Sequence, residues 1–316
     1  MRHRGHRAGA LALALLTLGA CDVPMQSGPA PTLPIDPDVP SAAAPAAPSP
    51  TSRALAQHYA RVQVDLLQQG LLRTDGGGPD TPFAAHTLAN NFIRIALYDE
   101  YVTRGGELVA QQTASRLRRW EQPVRLQIHF GDSIDPEQRA RDSQALTGYA
   151  RRLRRASNHP ISTVGADGNF HVLVLNEDER RNYGEELRQL VPGIGDTAVR
   201  TIETMPRTTF CLVFAFSRGN DPAYTRAIAV IRAEHPDLLR LSCFHEEVAQ
   251  GLGLANDSPM ARPSIFNDDE EFALLTTQDE LMLRILYDRR LRAGMTVEEA
   301  QPIVEVIAGE LLGGES

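Results

Sequence analysis

Apolar residues recur at helical spacing over 55–72, where Leu55, Tyr59, Val62 and Leu66 fall on one side, and the glycine- and proline-rich run 74–82 breaks the pattern. The spacing predicts a second helix over 88–102, with Phe92, Ile95, Ala96 and Tyr98 facing inward and Gly105-Gly106 ending it. At Pro123 the period changes. Val124, Leu126, Ile128 and Phe130 alternate with Arg125, Gln127 and His129, the mark of a half-buried strand. Helical spacing returns over 136–156 through Ala140, Leu146, Tyr149 and Leu153. A continuous apolar strand is expected over 170–175 and a short helix over 177–190, closed by Pro192-Gly193. Strands at 208–216 and 227–232, joined around Gly219-Asn220-Asp221-Pro222, read as a hairpin. Helices are expected over 238–251, 277–287 and 297–312.

Mixed strands and helices followed by helices alone predict an α+β fold with helices packed on one mixed sheet. Four segments are expected: a signal peptide over 1–20, a tether over 21–52, a helical segment over 53–122 and an α+β domain over 123–316. In the first, Arg2, Arg4 and Arg7 precede an apolar run over 8–18, too short for the roughly 20 residues a bilayer needs. It ends in Leu18-Gly19-Ala20-Cys21, which resembles the lipobox of bacterial lipoproteins. That likeness implies cleavage before Cys21, lipidation of Cys21 and a place in the cell envelope facing the periplasm, with the membrane as partner through the lipid. From Val23 to Pro50 the chain carries nine of its 21 prolines and few large apolar residues, the composition of a spacer that cannot bury enough surface to order itself.

Composition narrows the chemistry. The net charge is −8, which argues against a nucleic-acid partner. All 32 basic residues are arginine, so lysine-dependent Schiff-base, Walker and kinase chemistry is excluded. The arginines of the 136–156 helix (139, 141, 151, 152, 154, 155) read as a solvated face, with contact to anionic lipid or polysaccharide as the sharper alternative. With Cys21 assigned to lipid, Cys211 and Cys243 remain, and in an oxidising compartment they are expected to pair.

The most informative stretch is Glu246-Glu247-Val248-Ala249-Gln250-Gly251-Leu252-Gly253-Leu254-Ala255-Asn256-Asp257. It resembles the metzincin metalloprotease signature H-E-x-x-H-x-x-G-x-x-H. Glu247 stands at the general-base position, Gly253 at the turning glycine and Asp257 at the acidic follower, while Glu246, Gln250 and Asn256 replace the three histidine ligands. His245 does not restore the pair, because its partner four residues on is Ala249 and one helical step rotates a side chain by about 100°. Downstream, Pro263-Ser264-Ile265-Phe266-Asn267 looks like the metzincin Met-turn with Phe266 in place of methionine, and the segment 275–287, ending Leu286-Tyr287, looks like the closing helix. The chain also resembles a domain-of-unknown-function family of bacterial envelope proteins, a likeness that includes Asn91-Phe92-Ile93-Arg94-Ile95-Ala96.

The resemblance implies a zincin-like fold; the residues argue against its activity. Zinc prefers imidazole and thiolate, so one carboxylate with two amides is a poor site, and an oxygen set with Asp257 would suit calcium better. The expectation is therefore a degenerate, non-catalytic binding or scaffolding domain with no cofactor and an envelope protein or peptide as partner. The alternative is a metal-dependent, peptidase-like hydrolase with Glu247 as base and zinc or calcium on Glu246, Gln250 and Asn256. A glycosidase pair is not expected, because Glu246 and Glu247 are neighbours on one helix. The acidic run 267–271 reads as a solvated loop.

Overall fold

Residues 47–104, 107–267 and 269–313 are described by the computed structural model; the expected signal peptide, Cys21 as the expected lipidation site and the expected tether up to residue 46 lie outside them. In chain order the elements are α1 (Pro50–Gln68), α2 (Ala85–Ala96), β1 (Tyr98–Arg104), β2 (Glu107–Ala114), β3 (Arg119–Trp120), β4 (Val124–Phe130), α3 (Pro136–Ser157), β5 (Ile161–Thr163), β6 (Phe170–Leu175), α4 (Glu177–Arg181), α5 (Gly184–Leu190), α6 (Asp196–Glu203), β7 (Cys211–Ser217), β8 (Ala223–Arg232), α7 (Asp237–Gln250), α8 (Thr277–Leu286) and α9 (Val297–Gly313). The architecture is α+β, as expected, around a mostly parallel sheet.

Strands run in the order β5-β4-β6-β8, all parallel, with β3 parallel to the start of β8 and β7 antiparallel along it. All six residues of β6 are buried, which is why that segment reads as an unbroken apolar run. Val172, Val174, Ala229 and Ile231 on one sheet face share a core with Phe92 of α2, Leu153 of α3, Phe244 and Val248 of α7, Leu283 of α8 and Val304 of α9. On the other face Leu173, Leu175, Ile228 and Val230 pack against Leu187 of α5 and Val199 and Ile202 of α6. A third cluster seats Tyr59 of α1 on Leu72, Leu239 and Ala273.

Several sequence expectations need correction. The helix expected over 88–102 stops at Ala96, and β1 pairs antiparallel with β2. Tyr98, Tyr101, Val102 and Thr103 favour a strand, and a Gly-Gly pair between strand-forming runs is a hairpin signal rather than a helix stop. The helix over 177–190 is two, α4 and α5; α4 opens with a capping box between Asn176 and Glu179. Neither α6 nor the short β3 and β5 is evident in the pattern. Helix α1 begins earlier than 55, with Ser49 accepting from the Ser52 amide and Pro50 in the first turn.

The Cys211–Cys243 disulfide is formed and pins α7 to β7. Two arginines of α3 are half-buried and bonded to the protein rather than free in solvent: Arg139 donates to the carbonyls of Gly131 and Ile134, and Arg152 to Glu280 and the Leu275 carbonyl. Among the described residues no helix is long and apolar enough to cross a membrane.

Candidate functional site

Helix α7 carries the site. Leu239, Cys243, Phe244, Val248 and Ala249 sink into the core, and the helix ends where the Gly251 amide still bonds the Glu247 carbonyl and Gly253 reverses the chain. Gly253 has φ +128°, and a Cβ there would stand 2.3 Å from the Arg118 carbonyl oxygen. Both the backbone angle and the close carbonyl demand a residue without a Cβ at this position. Two side chains clamp this turn from distant elements: Trp120 Nε1 donates to the Gly251 carbonyl at 2.8 Å, and Tyr287 Oη donates to the Leu252 carbonyl at 3.0 Å. Burial raises the Tyr287 phenol well above its ordinary value, so it remains a donor. The Leu-Tyr end of the closing segment thus reaches the glycine turn.

Glu246, Gln250 and Asn256 do different things. Gln250 donates its side-chain amide to Asp257 Oδ1 at 3.0 Å, which ties the end of α7 to the returning chain. Asn256 is 1 % exposed and turns toward α2, its side-chain amide bonding the Arg94 carbonyl at 2.8 Å and its backbone amide the Ile95 carbonyl at 3.1 Å. It therefore satisfies carbonyls that the C-terminal end of α2 leaves open. Glu246 is half-buried and Glu247 buried. One carboxylate oxygen of each, with Cys211 Sγ, forms a group whose members all lie within 4.8 Å of one another. Among the described residues no other group of three or more His, Cys, Asp or Glu ligand atoms gathers in this way.

His245 is buried in a structural role. Its Nδ1 accepts from the Leu275 amide at 3.0 Å, its ring stacks on Tyr149 at 3.9 Å, and burial lowers its pKa to about 3. Phe266 is fully buried, and its turn is fixed by Asp279 of α8, which accepts from Ser264 Oγ and from the amides of Ile265 and Thr276. In the acidic run, Glu271 pairs with Arg262 at 2.6 Å and Arg73 at 3.1 Å, which hold its carboxyl below the usual range; Asp268 lies outside the described residues. A cavity of about 770 Å³ opens elsewhere, between the β7–β8 turn and the start of α9, where Arg118 is engaged in a two-bond pair with Asp99.

The sequence pattern places Tyr149 on the inward side of its helix and Asp279 in the segment 275–287, but it does not show that these two and Trp120 brace the site. Trp120 carried a signal only as the one tryptophan of the chain. The family model described as "Protein of unknown function (DUF2927)" matches residues 85–306. The chain belongs to the DUF2927 family. The DUF2927 match begins at the first residue of α2 and ends inside α9, so it takes in the whole sheet, α7 and both clamps, and leaves α1 outside. No curated protein and no solved structure matches the chain.

Proposed function

We propose that this chain is a lipid-anchored protein of the bacterial cell envelope, facing the periplasm, whose DUF2927 domain is a degenerate metzincin-like module that binds or scaffolds rather than cleaves. The reading rests on chain order: strands, the helix with Glu246 and Glu247, the glycine turn, the 263–267 turn and a closing helix whose Tyr287 meets the glycine turn. One observation carries the non-catalytic conclusion. Gln250 and Asn256, where the resemblance would have histidine ligands, spend their side chains on Asp257 and the Arg94 carbonyl. Strand β7, with β8 as its sheet partner among the described residues, supplies an edge beside α7 on which an extended peptide of an envelope partner could add as a strand.

The gathering of Glu246 and Glu247 favours a second reading, a hydrolase with Glu247 as general base and zinc or calcium on non-histidine ligands. Metal analysis of the full chain, purified with its disulfide intact, separates the two. The binding-module reading expects well below one equivalent of zinc or calcium and no peptidase activity. Stoichiometric metal that is lost in Q250A would establish the hydrolase reading instead.

A further inference from the structure

Cys211 Sγ and one carboxylate oxygen each of Glu246 and Glu247 lie within 4.8 Å of one another, and the disulfide joins Cys243 to that group. On α7, Cys243, Glu246 and Glu247 stand at positions i, i+3 and i+4, which share a helix face, and Cys211 reaches that face from the start of β7. Cys211 and Glu246 are half-buried and open the patch to solution, while Cys243 and Glu247 are buried behind them. In the oxidised chain a disulfide sulfur is a feeble donor, so a cation meets carboxylate oxygen alone. Reduction converts the same four residues into two thiolates and two carboxylates. That donor set suits zinc, which is held four-coordinate at about 2.3 Å from sulfur and about 2.0–2.2 Å from oxygen. Tetrahedral geometry sets two such sulfurs about 3.8 Å apart. The Cα atoms of Cys211 and Cys243 are 5.9 Å apart, which accommodates that opening by side-chain rotation.

We propose that Cys211, Cys243, Glu246 and Glu247 form a thiol-gated zinc site, empty of metal while the disulfide stands and loaded when it is reduced. A dithiol donor supplies two electrons and two protons: the Cys211–Cys243 bond breaks, both sulfurs become thiols, and the donor leaves as its own disulfide. Zinc then displaces the two thiol protons. A disulfide oxidant reverses the sequence; it accepts two electrons from the zinc-bound thiolates and two protons from solvent, leaving as two thiols while the Cys211–Cys243 bond reforms and zinc departs. Neither Gln250 nor Asn256 takes part, so this site stands apart from the reading of the histidine-replacement positions.

Cobalt titration of the full chain carrying C21S, which leaves only the two cysteines in question, tests the proposal. After reduction and removal of the reductant without air, one equivalent of Co²⁺ should give thiolate-to-cobalt absorption in the near ultraviolet, bleached by zinc and absent from the oxidised chain. E246Q and E247Q should each weaken binding by about 10-fold or more, and Q250A should leave it unchanged. A reduced chain that stays folded by circular dichroism and takes no cobalt overturns the proposal. So does unchanged affinity in both glutamine variants, which would leave two thiolates acting alone. A reduced chain that unfolds should be refolded by cobalt or zinc, and failure to refold overturns it as well.

Discussion

Gly253 and Gly148 make opposite demands on the same side chain. At Gly253 the backbone sits at φ +128°, where an added Cβ meets the Arg118 carbonyl oxygen at 2.3 Å and Leu286 Cδ2 at 3.1 Å. A backbone oxygen cannot swing aside as the tip of a flexible side chain can, so G253A must move the α7 turn away from the Arg118 backbone that leads into β3. The expected loss is about 2–4 kcal/mol, a strained backbone plus a displaced contact. Gly148 lies inside α3 with nothing within 4 Å of the position a Cβ would take. G148A should stabilise by about 0.5–1 kcal/mol, by removing backbone freedom from the unfolded chain. Urea unfolding followed by Trp120, the single tryptophan, measures both, and the contrast between them separates a conformational demand from general intolerance of change. Asn256 teaches the same lesson from the polar side: read in the motif it is a lost ligand, and in the fold it closes the end of α2.

Elements whose burial repeats along the chain were legible; those fixed by distant partners were not. The alternation at 124–130 and the unbroken run at 170–175 gave β4 and β6 their type and bounds because each follows directly from what its two faces touch. The pairing of Cys211 with Cys243 was legible as well, because a chain of three cysteines, one of them expected to carry lipid, leaves a single pair. The β1–β2 hairpin was hidden by a helical period that runs on past Ala96 for a few residues. Of the site, the local part around Glu246 could be read as a motif, but its clamps could not: Trp120 and Gly251 are joined across 131 positions. Asp279 is such a clamp at the scale of an element. It closes the capping box of α8 with Thr276, and the same carboxylate receives Ser264 Oγ at 2.6 Å and the Ile265 amide at 3.1 Å. D279A leaves these buried donors unanswered, and a loss of about 3 kcal/mol or more is expected, seen as a fall in urea midpoint. Since Phe266 rides on that turn, the change should loosen the 263–267 segment first, detected as faster amide exchange there than in β6.

For the whole molecule, buried neutral histidines set how the fold responds to acid. His245 and His235 are buried, each bonded by one ring nitrogen to the backbone, and desolvation lowers both pKa values to about 3. His171, paired with His129 at 3.1 Å on the neighbouring strand, falls to about 4, through burial first and then the charges of His129 and Arg226. In the unfolded chain all three titrate near 6.5. Below that value the unfolded state takes up protons that the native state refuses, so the stability these residues contribute is complete above pH 6.5 and drains away as pH falls toward 4 and then 3. Each adds a slope of up to about 1.4 kcal/mol per pH unit, or about 2 kcal/mol by pH 5. Glu177, held down to about 2 by its bonds to Arg180, Arg181 and Arg232 against its own burial, begins to lose its contribution only below its unfolded value near 4.5. Asp142 and Glu234 act the other way, since burial raises their pKa values and acid relieves the cost of their charge. The net expectation is a urea midpoint that falls between pH 6.5 and 5, driven by histidine. H245Q, which removes one titrating ring and offers the Leu275 amide a substitute acceptor, should lower stability at pH 7.5 yet flatten that fall by one residue's share. A variant whose midpoint tracks the parent's pH profile in parallel would mean that His245 is protonated in the native state and that its ring is not sealed from water.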